Sequence, residues 1–262
     1  MSPSGKSPAP FPDGLLNDLA ARGRLLLMLD YDGTLAPIVN DPAAAWPLDQ
    51  ARAALAALAA RRDRIDLAVI SGRDLAELVR LLGLERGLYL VGVHGLELSD
   101  PDGRRELAAG IEPALQELER VRRWLQERLP AGCGLAVEDK RLAVALHYRN
   151  ADPAVAAPIV SDFERYLAHQ GELILKHGKK VAEAAPRGAD KGAAVRRLVE
   201  RLGGAGQPVY FGDDLTDEDA FRALAGRGVT VKVGGEGESA ARYRIASPAA
   251  VAAALHSLAA AL

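Results

Sequence analysis

The stretch that decides the fold is Leu25-Leu26-Leu27-Met28-Leu29-Asp30-Tyr31-Asp32-Gly33-Thr34, an apolar run that ends abruptly in two acids one residue apart. A run this short, with polar residues or glycine on both sides, predicts a buried parallel strand whose carboxyl end opens into a loop. Ligands of open α/β sheets bind at such ends. Two neighbouring carboxylates repel each other, so a cation or a shared proton would have to compensate their charge. The commoner alternative for an isolated Asp-x-Asp-Gly is a turn, and this stretch alone leaves both interpretations open.

The composition is that of an ordinary globular protein. Its 262 residues are 49% hydrophobic and 26% charged, enough for one large domain or two modest ones. A formal charge of -2 provides no field for nucleic acid or an anionic membrane, so we expect neither as a partner. The single Cys133 excludes an intramolecular disulfide and a cysteine metal cluster, and no run approaches the roughly 20 apolar residues that span a bilayer. We expect a cytoplasmic protein that acts as a monomer on a small molecule.

Strands and helices alternate along most of the chain, which is typical of a parallel sheet with helices on both faces. Strands are predicted at 25–29, 65–70, 88–93, 208–211 and 228–233, and helices at 15–22, 48–62, 75–82, 191–201, 218–225 and 248–262. Between residues 112 and 184 the order is instead helix, hairpin, helix, hairpin. Here helices are predicted at 112–129 and 154–169, and strands at 134–138, 141–148, 172–176 and 180–184. We therefore predict a disordered tail at 1–10, a catalytic core at 11–109 and 187–262, and an inserted α+β domain at 110–186.

Two further polar groups lie at the predicted starts of core helices. Ser71-Gly72-Arg73 follows the second strand, where a hydroxyl, free backbone N–H groups and a helix dipole together make an anion site. The alternative is that Ser71 is only the N-cap of the helix. Lys191 opens the helix after the insert, where a cation is unfavourable to the dipole unless it has an anion to neutralise.

An acidic cluster, Gly212-Asp213-Asp214-Leu215-Thr216-Asp217-Glu218-Asp219, follows the fourth core strand. A capping box with Thr216 at the N-cap and Asp219 three residues later is the alternative to a functional site, but it leaves Asp213 and Asp214 without a purpose. Oxygen ligands at two strand ends, without His or Cys beside them, favour Mg²⁺ over Zn²⁺. A metal beside a serine, a lysine and a helix N-terminus is typical of a phosphate site, and an Asp nucleophile there would form an aspartyl-phosphate.

Four motifs, in order and context, resemble the signature of the haloacid dehalogenase-like phosphatases: Asp30-Tyr31-Asp32-Gly33-Thr34, Ser71, Lys191 and Gly212-Asp213-Asp214. The resemblance implies a Rossmann-like α/β core, a cap domain over the site and one Mg²⁺. It also implies that Asp30 is the nucleophile, and that Asp32 is the general acid that protonates the leaving oxygen and then activates water.

The same resemblance assigns the metal and phosphate ligands. Asp30, the main-chain carbonyl of Asp32, and Asp213 would hold the metal, with Asp214 as a further ligand or just behind them. The phosphoryl group would be held by Ser71, Gly72 and Lys191.

Other motifs are similar to those of trehalose-6-phosphate phosphatases in particular: Val69-Ile70-Ser71-Gly72-Arg73, Gly92-Val93-His94-Gly95, Val137-Glu138-Asp139-Lys140, His147-Tyr148-Arg149 and Gly178-Lys179-Lys180-Val181 with Glu183. This resemblance implies that the sugar hydroxyls are bound by five residues of the insert, namely Glu138, Lys140, Arg149, Lys179 and Glu183. It places Arg73 and His94 near the core side of the pocket, as substrate-binding residues. The alternative is that the insert's charges are solvated strand edges, as we expect for His169 and His177.

These patterns together predict a Mg²⁺-dependent phosphatase that hydrolyses trehalose 6-phosphate through an aspartyl-phosphate. Three alternatives stay open: a phosphatase for another sugar phosphate such as sucrose or glucosylglycerol phosphate, a phosphosugar mutase, and a non-catalytic sugar-phosphate sensor. An intact nucleophile favours an enzyme, because a sensor needs binding groups but no attacking carboxylate.

Overall fold

The computed structural model describes residues 7–39, 41–130, 132–178 and 180–262. In chain order the elements are β1 (Ala9–Pro10), α1 (Leu15–Arg22), β2 (Leu25–Asp30), α2 (Asp49–Ala59), β3 (Ile65–Ile70), α3 (Leu75–Leu82), β4 (Tyr89–Gly92), β5 (Glu97–Ser99), β6 (Arg105–Leu107), α4 (Glu112–Arg128), β7 (Ala136–Asp139), β8 (Val144–His147), α5 (Pro153–Ala168), β9 (Leu173–Gly178), β10 (Val181–Pro186), α6 (Lys191–Arg201), β11 (Gln207–Gly212), α7 (Asp217–Ala223), β12 (Val229–Val233), β13 (Tyr243–Ile245) and α8 (Pro248–Ala261). Among the described residues, no helix is long and apolar enough to cross a membrane.

The larger sheet positions the candidate site. Its strand order is β1-β13-β12-β11-β2-β3-β4-β5-β6, parallel from β1 as far as β4 and antiparallel in the last two pairs. Strand β2 lies between β11 and β3, with Leu29 opposite Phe211 on one side and Val69 on the other. The chain moves outward from β2 through β3 and β4, and from β11 through β12 on the opposite side. The order therefore reverses beside β2, where open α/β sheets bind their ligands.

Strand β2 is uniformly apolar because helices cover both faces of the sheet. Leu25, Leu27 and Leu29 pack in one cluster with residues of α1, α2, α3 and α8. Leu26 and Met28 point the other way and pack with residues of α6 and α7. All five side chains are buried, and each contributes about 1.5–3 kcal/mol to folding. The predicted parallel strand is thus confirmed, and its carboxyl end is fixed by packing on both sides.

The prediction missed several short elements and placed some ends differently. Helix α2 ends at Ala59, not at 62, because the chain must turn before β3. Strands β5, β6 and β13 were not predicted, since three residues carry too little periodicity. The disordered tail predicted at 1–10 is wrong at its end: Ala9 and Pro10 pair with β13, and the Phe11 ring lies 5.6 Å from that of Phe211.

The chain forms two compact units, one containing the residues up to Leu107 together with Asp190–Leu262, and the other Ala108–Ala189. The second unit, which we call the insert, has an antiparallel sheet in the order β7-β8-β10-β9. Helices α4 and α5 pack on this sheet and on each other, with the rings of Trp124 and Tyr166 stacked 4.8 Å apart. The predicted bounds of 110 and 186 fall close to those of the insert.

Candidate active site

The site is built at the carboxyl ends of three adjacent strands. Asp30 is the last residue of β2, Ser71 follows β3, and Asp213 follows β11. Because these strands are parallel neighbours, their carboxyl ends meet at one edge of the sheet. Three separate sections of the chain therefore bring polar groups to one place, as the sequence predicted.

Lys191 forms the centre of this site. It is the first residue of α6, whose N-cap is Asp190. Its ammonium lies 2.6 Å from Asp30 Oδ1 and 2.8 Å from Asp217 Oδ1, and its side chain is 3% exposed. Burial opposes the charged form, but the two carboxylates outweigh it and raise the pKa of Lys191. The unfavourable position of this cation at a helix N-terminus is thus offset by two anions.

Asp217 is the principal residue that the sequence analysis missed. It is fully buried, and its carboxylate accepts four hydrogen bonds. Oδ2 accepts from the backbone N–H groups of Asp213 and Asp214, at 2.9 and 3.0 Å. Oδ1 accepts from Lys191 and from the hydroxyl of Tyr210. Asp217 therefore fixes both the lysine and the loop after β11. Its sequence signal is an acid four residues after Asp213, within the acidic run that follows the fourth core strand.

The alternative for the acidic cluster, a capping box at α7, is wrong. The Thr216 side chain makes no capping hydrogen bond, and Asp219 pairs with Arg222 at 2.8 Å. Asp214 orders this turn instead, since its Oδ1 accepts from both the backbone N–H and the hydroxyl of Thr216 at 2.8 and 2.7 Å. Burial works against ionisation of Asp214, but Lys191 and these hydrogen bonds outweigh it and lower its pKa.

Three carboxylates form a cluster that could hold a metal ion. Asp30, Asp213 and Asp217 each offer an oxygen, and these oxygens lie within 4.8 Å of one another. Burial, with the charges of Asp217 and Asp214, raises the pKa of Asp213 to about 6. Burial also raises the pKa of Asp30 well above its ordinary value, although Lys191 opposes this. The cluster thus carries more negative charge than Lys191 compensates. Since the oxygens of Asp217 are already taken, Asp30 and Asp213 remain the best placed to bind a cation.

Gly33 makes room for this cluster. Its φ of +78° is in the left-handed region, and a Cβ atom there would lie 2.0 Å from Asp213 Oδ2. Any side chain would therefore strain the backbone and displace the carboxylate. The glycine of the Asp-x-Asp-Gly stretch allows the loops after β2 and β11 to approach each other.

Asp32 lies in a different environment from Asp30. Its carboxylate accepts two hydrogen bonds from Arg73, from Nε and from Nη2, both at 2.7 Å. The side chain of Asp32 is 36% exposed, whereas that of Asp30 is 4% exposed. The neighbouring Thr34 does not hold Asp32, because Thr34 Oγ1 is buried without a hydrogen-bond partner in the described part of the chain. The two acids thus have different partners and different exposure to solvent.

Arg73 had been assigned to the substrate, but its side chain contacts the protein. Besides Asp32 it bonds Glu77 and the carbonyl oxygen of Pro42, and it lies 5.3 Å from the centroid of the Tyr31 ring. Only 8% of its side chain is exposed. Arg73 therefore holds the Asp32 carboxylate in place.

The loop after β3 has a different structure from the predicted helix start. Helix α3 begins at Leu75, and its N-cap is Asp74, which accepts from Glu77 N at 2.8 Å. The alternative in which Ser71 caps the helix is therefore wrong. The Ser71 hydroxyl is buried and accepts from the backbone N–H of Arg73 at 3.1 Å. Ser71 and Gly72 thus lie in a loop beside Asp30, with the helix start beyond them.

His94 packs directly on this loop. Its backbone N–H donates to the carbonyl oxygen of Ser71 at 2.9 Å, and a Cβ atom on Gly72 would lie 2.7 Å from His94 Nε2. Both Val93 and His94 have positive φ, of 47° and 53°. This is a costly conformation for a β-branched residue, and such strain is concentrated at functional sites. His94 thus lies against the Ser71-Gly72 loop, and its role as a substrate-binding residue stays a prediction.

The insert has one polar sheet face. Register places Glu138, Ala145, Glu183 and Lys176 in one row across the four strands, on the face opposite the buried Leu146 and its neighbours. Within this face Lys140 Nζ lies 2.7 Å from Glu183 and 3.9 Å from Glu138. We call Glu138, Lys140, His147 and Glu183 the polar face of the insert.

Four other polar residues of the insert bear on the prediction, and two of them, Arg149 and Lys179, were predicted sugar ligands. His147 belongs to the polar face because its Nε2 lies 2.8 Å from Glu138, although it was not among the predicted ligands. Arg149 is exposed in the turn after β8. Lys179 lies outside the described residues. His177 was expected to be a surface group, and it lies 3.8 Å from Glu164 of α5. The structure thus brings together Glu138, Lys140 and Glu183 of the five.

Comparison with known proteins identifies relatives over nearly the whole chain. A family model described as trehalose-phosphatase matches residues 28–249. The chain is 38% identical over 250 residues to a trehalose-phosphate phosphatase of Mycobacterium marinum, covering 92% of this chain and 62% of that protein. It is 42% identical over 245 residues to an uncharacterized glycosyl hydrolase of Mycobacterium tuberculosis, covering 89% of this chain and 18% of that protein. The chain thus spans less than two thirds of the length of these curated relatives.

Solved structures are similar over the full length. A trehalose-6-phosphate phosphatase of Aspergillus fumigatus superposes with a TM-score of 0.74 at 32% identity, covering 97% of this chain and 100% of that one. The C-terminal domain of a C. albicans trehalose-6-phosphate phosphatase gives a TM-score of 0.72 at 28% identity, covering 98% and 99%. The predicted haloacid dehalogenase-like fold, an α/β core with an inserted α+β domain, is confirmed.

Proposed function

Because the chain belongs to the trehalose-phosphatase family, we propose that it hydrolyses trehalose 6-phosphate to trehalose and phosphate through an aspartyl-phosphate on Asp30. The observation that carries this proposal is the buried contact of Asp30 with Lys191, beside the carboxylate of Asp213. A nucleophile, a phosphate-binding cation and a candidate metal ligand are the groups that such a transfer needs in one place. We further propose that the chain acts as a monomer in the cytoplasm.

Mg²⁺ fits the donor set of the core. Asp30, Asp213 and the main-chain carbonyl of Asp32 would hold the ion, and Asp214 would assist from the turn beside them. The raised pKa values of Asp30 and Asp213 indicate anionic charge that a cation would relieve. When bound, Mg²⁺ neutralises charge on the phosphoryl oxygens, so that an anionic carboxylate can approach an anionic ester.

Each of the core residues then has a separate role in the reaction. Lys191 binds a phosphoryl oxygen, with Ser71 and the backbone N–H of Gly72 on the other side. Asp30 attacks phosphorus and forms the acyl phosphate, while the bond from phosphorus to the sugar oxygen breaks and Asp32 donates a proton to that oxygen. Asp32 next takes a proton from water, the water attacks the acyl phosphate, and phosphate and free Asp30 are released.

Arg73 bears on the proton transfer because it holds both oxygens of Asp32. For Asp32 to donate a proton, at least one of these hydrogen bonds has to be exchanged for one to the leaving oxygen of the substrate. Arg73 would then keep the remaining oxygen oriented. This replaces the direct substrate contact that the sequence assigned to it.

The sugar would be recognised by the insert. Acidic and basic groups alternate on its polar face, and each hydroxyl of a disaccharide both donates and accepts a hydrogen bond. We assign the hydroxyls of trehalose to Glu138, Lys140, Arg149, Lys179 and Glu183, with His94 on the core side.

Phosphate release from a panel of sugar phosphates in the presence of Mg²⁺ tests the function. We expect the highest kcat/KM with trehalose 6-phosphate, and lower values with sucrose 6-phosphate, glucosylglycerol phosphate and glucose 6-phosphate. A best substrate without a trehalose moiety would contradict the assigned specificity. A product in which the phosphate has moved to another carbon would indicate a mutase, and binding without turnover of any substrate would indicate a sensor.

A further inference from the structure

Tyr210 is a buried tyrosine whose ring and hydroxyl have separate surroundings. The ring packs in an apolar cluster between β11 and the helices α6 and α7, with Phe221 at 5.9 Å in an edge-to-face arrangement. The side chain has no exposed surface. Phenylalanine would satisfy this packing equally well, so the cluster does not explain the hydroxyl group. That hydroxyl donates to Asp217 Oδ1 at 2.6 Å.

The oxygen that accepts from Tyr210 also accepts from Lys191, at 2.8 Å. Lys191 has its second partner in Asp30 Oδ1, at 2.6 Å. The ammonium therefore lies between the nucleophile and Asp217, and its position depends on how Asp217 is oriented. The other oxygen of Asp217 is held by the backbone of Asp213 and Asp214, so the tyrosine hydroxyl supplies the second fixed point of this carboxylate.

We propose that Tyr210 is a positioning residue for phosphoryl transfer, whose hydroxyl fixes Asp217 and, through Asp217, the ammonium of Lys191 beside Asp30. Without the hydroxyl, Asp217 Oδ1 would face an apolar cluster with one hydrogen bond fewer. A buried carboxylate that loses a donor draws more strongly on the donors that remain. Lys191 would move toward Asp217 and away from the phosphoryl group. Burial and the charge of Asp217 raise the pKa of Tyr210, so the hydroxyl stays protonated and donates throughout the working pH range.

The test is Tyr210→Phe, assayed with trehalose 6-phosphate and with p-nitrophenyl phosphate. The proposal rests on the proposed function only in requiring phosphoryl transfer, so the second substrate separates the two. Wild-type protein that hydrolyses p-nitrophenyl phosphate but not trehalose 6-phosphate would refute the assigned substrate and leave this proposal testable. We expect kcat to fall about tenfold on both substrates, which corresponds to one hydrogen bond to a charged group, with any rise in KM the same for both substrates because both bind Lys191 through the phosphoryl group.

A double-mutant cycle distinguishes positioning from packing. Because Tyr210 acts through Asp217, adding Tyr210→Phe to Asp217→Asn should change kcat by less than about twofold. The matched control is Tyr89→Phe, which removes the hydroxyl of another tyrosine in the same cluster and should leave kcat unchanged. The melting temperature is measured for every variant.

Three outcomes would overturn the proposal. The first is a kcat of Tyr210→Phe within about twofold of wild type. The second is the same loss in the Asp217→Asn background as in the wild type, because it would show that the hydroxyl acts independently of Asp217. The third is a loss of kcat that follows the loss of folded protein on heating, which would make the role merely structural.

Discussion

Lys191 of the core lies beside three carboxylates and Lys140 of the insert beside two, and the two sites differ in burial. Lys191 contacts Asp30 and Asp217 at 2.6 and 2.8 Å, and its side chain is 3% exposed. Lys140 contacts Glu183 at 2.7 Å and Glu138 only at 3.9 Å, and its side chain is 43% exposed.

The difference in exposure gives the ion pairs of the two lysines different energetic properties. A buried charge must keep its partners, because losing one leaves an uncompensated charge in a medium of low dielectric constant. An exposed charge exchanges partners with water at little cost. On the proposed function, the buried pairs of the core would stay in place during the reaction at phosphorus, and the exposed pairs on the polar face of the insert would be exchanged for sugar hydroxyls.

The substitution Asp30→Asn is expected to have the largest effect on kcat. The amide keeps the shape of the side chain but cannot attack phosphorus, so we expect kcat to fall about a thousandfold or more. Trehalose 6-phosphate should still bind, since Lys191 and the polar face of the insert are intact. Phosphate release and isothermal titration calorimetry measure the two quantities. Full activity in this variant would refute the aspartyl-phosphate mechanism.

Lys191→Met is expected to have the largest effect on stability. The substitution leaves Asp30 and Asp217 facing each other without their shared cation, and Asp217 is fully buried. We expect the free energy of unfolding to fall by about 3 kcal/mol, as when one partner of a buried pair is removed. Urea denaturation without Mg²⁺ measures this value. An equal loss in the free energy of unfolding for Lys140→Met, in the same assay, would contradict the contrast drawn between the buried and the exposed lysine.

Mg²⁺ should stabilise the protein more at pH 7.5 than at pH 5. The pKa of Asp213 is raised from 3.8 to about 6 in the folded chain. The folded state therefore binds the proton more tightly than the unfolded state, and the metal-free protein loses stability as the pH rises from about 4 to about 6. At pH 5 the ion has to displace this proton, whereas at pH 7.5 Asp213 is already ionised.

Thermal unfolding at the two pH values measures this difference. At pH 7.5 we expect the melting temperature to rise by about 5 °C at a Mg²⁺ concentration about 100 times its Kd, and by less at pH 5. The control is Asp213→Asn, in which most of the rise should disappear. Equal shifts at both pH values would argue against a metal at Asp213.

The parts of the fold and of the site that could be predicted from the sequence are those with a local signal. Helix α6 was predicted with both ends correct and strand β2 to within one residue, because their apolar residues and the polar residues at their ends are local signals. The proximity of Asp30, Lys191 and Asp213 could be predicted because each stands at one end of such an element. Their convergence follows from the parallel order of the strands.

What the sequence did not contain is the choice of hydrogen-bond partner. Asp217 resembles any acid in the first turn of a helix, where carboxylates are common, and Tyr210 resembles any aromatic residue of a buried strand. Arg73 carries the right charge for a substrate ligand, but its bond to Asp32 depends on how the loop after β3 folds. Such pairings between loops are set by tertiary packing, and one sequence has no periodic signal for them.

The substitution Lys140→Met is expected to have the smallest effect on stability, and it tests the contrast with Lys191 directly. Because Lys140 is half exposed, we expect a change of less than about 1 kcal/mol in the free energy of unfolding. The lost hydrogen bond to the sugar should raise KM for trehalose 6-phosphate about tenfold, with kcat unchanged. KM for p-nitrophenyl phosphate should not change, since this substrate has no sugar.

The matched control is Arg128→Met, which removes a cation of similar exposure on helix α4, away from the polar face, and should change neither constant. If Lys140→Met lowered kcat on both substrates, Lys140 would act on the chemical step as Lys191 does. If it changed neither constant, the polar face would be a solvated edge of the sheet, and recognition of the sugar would have to lie elsewhere. An effect on KM that is confined to the sugar substrate is the result that only a recognition role for the insert produces.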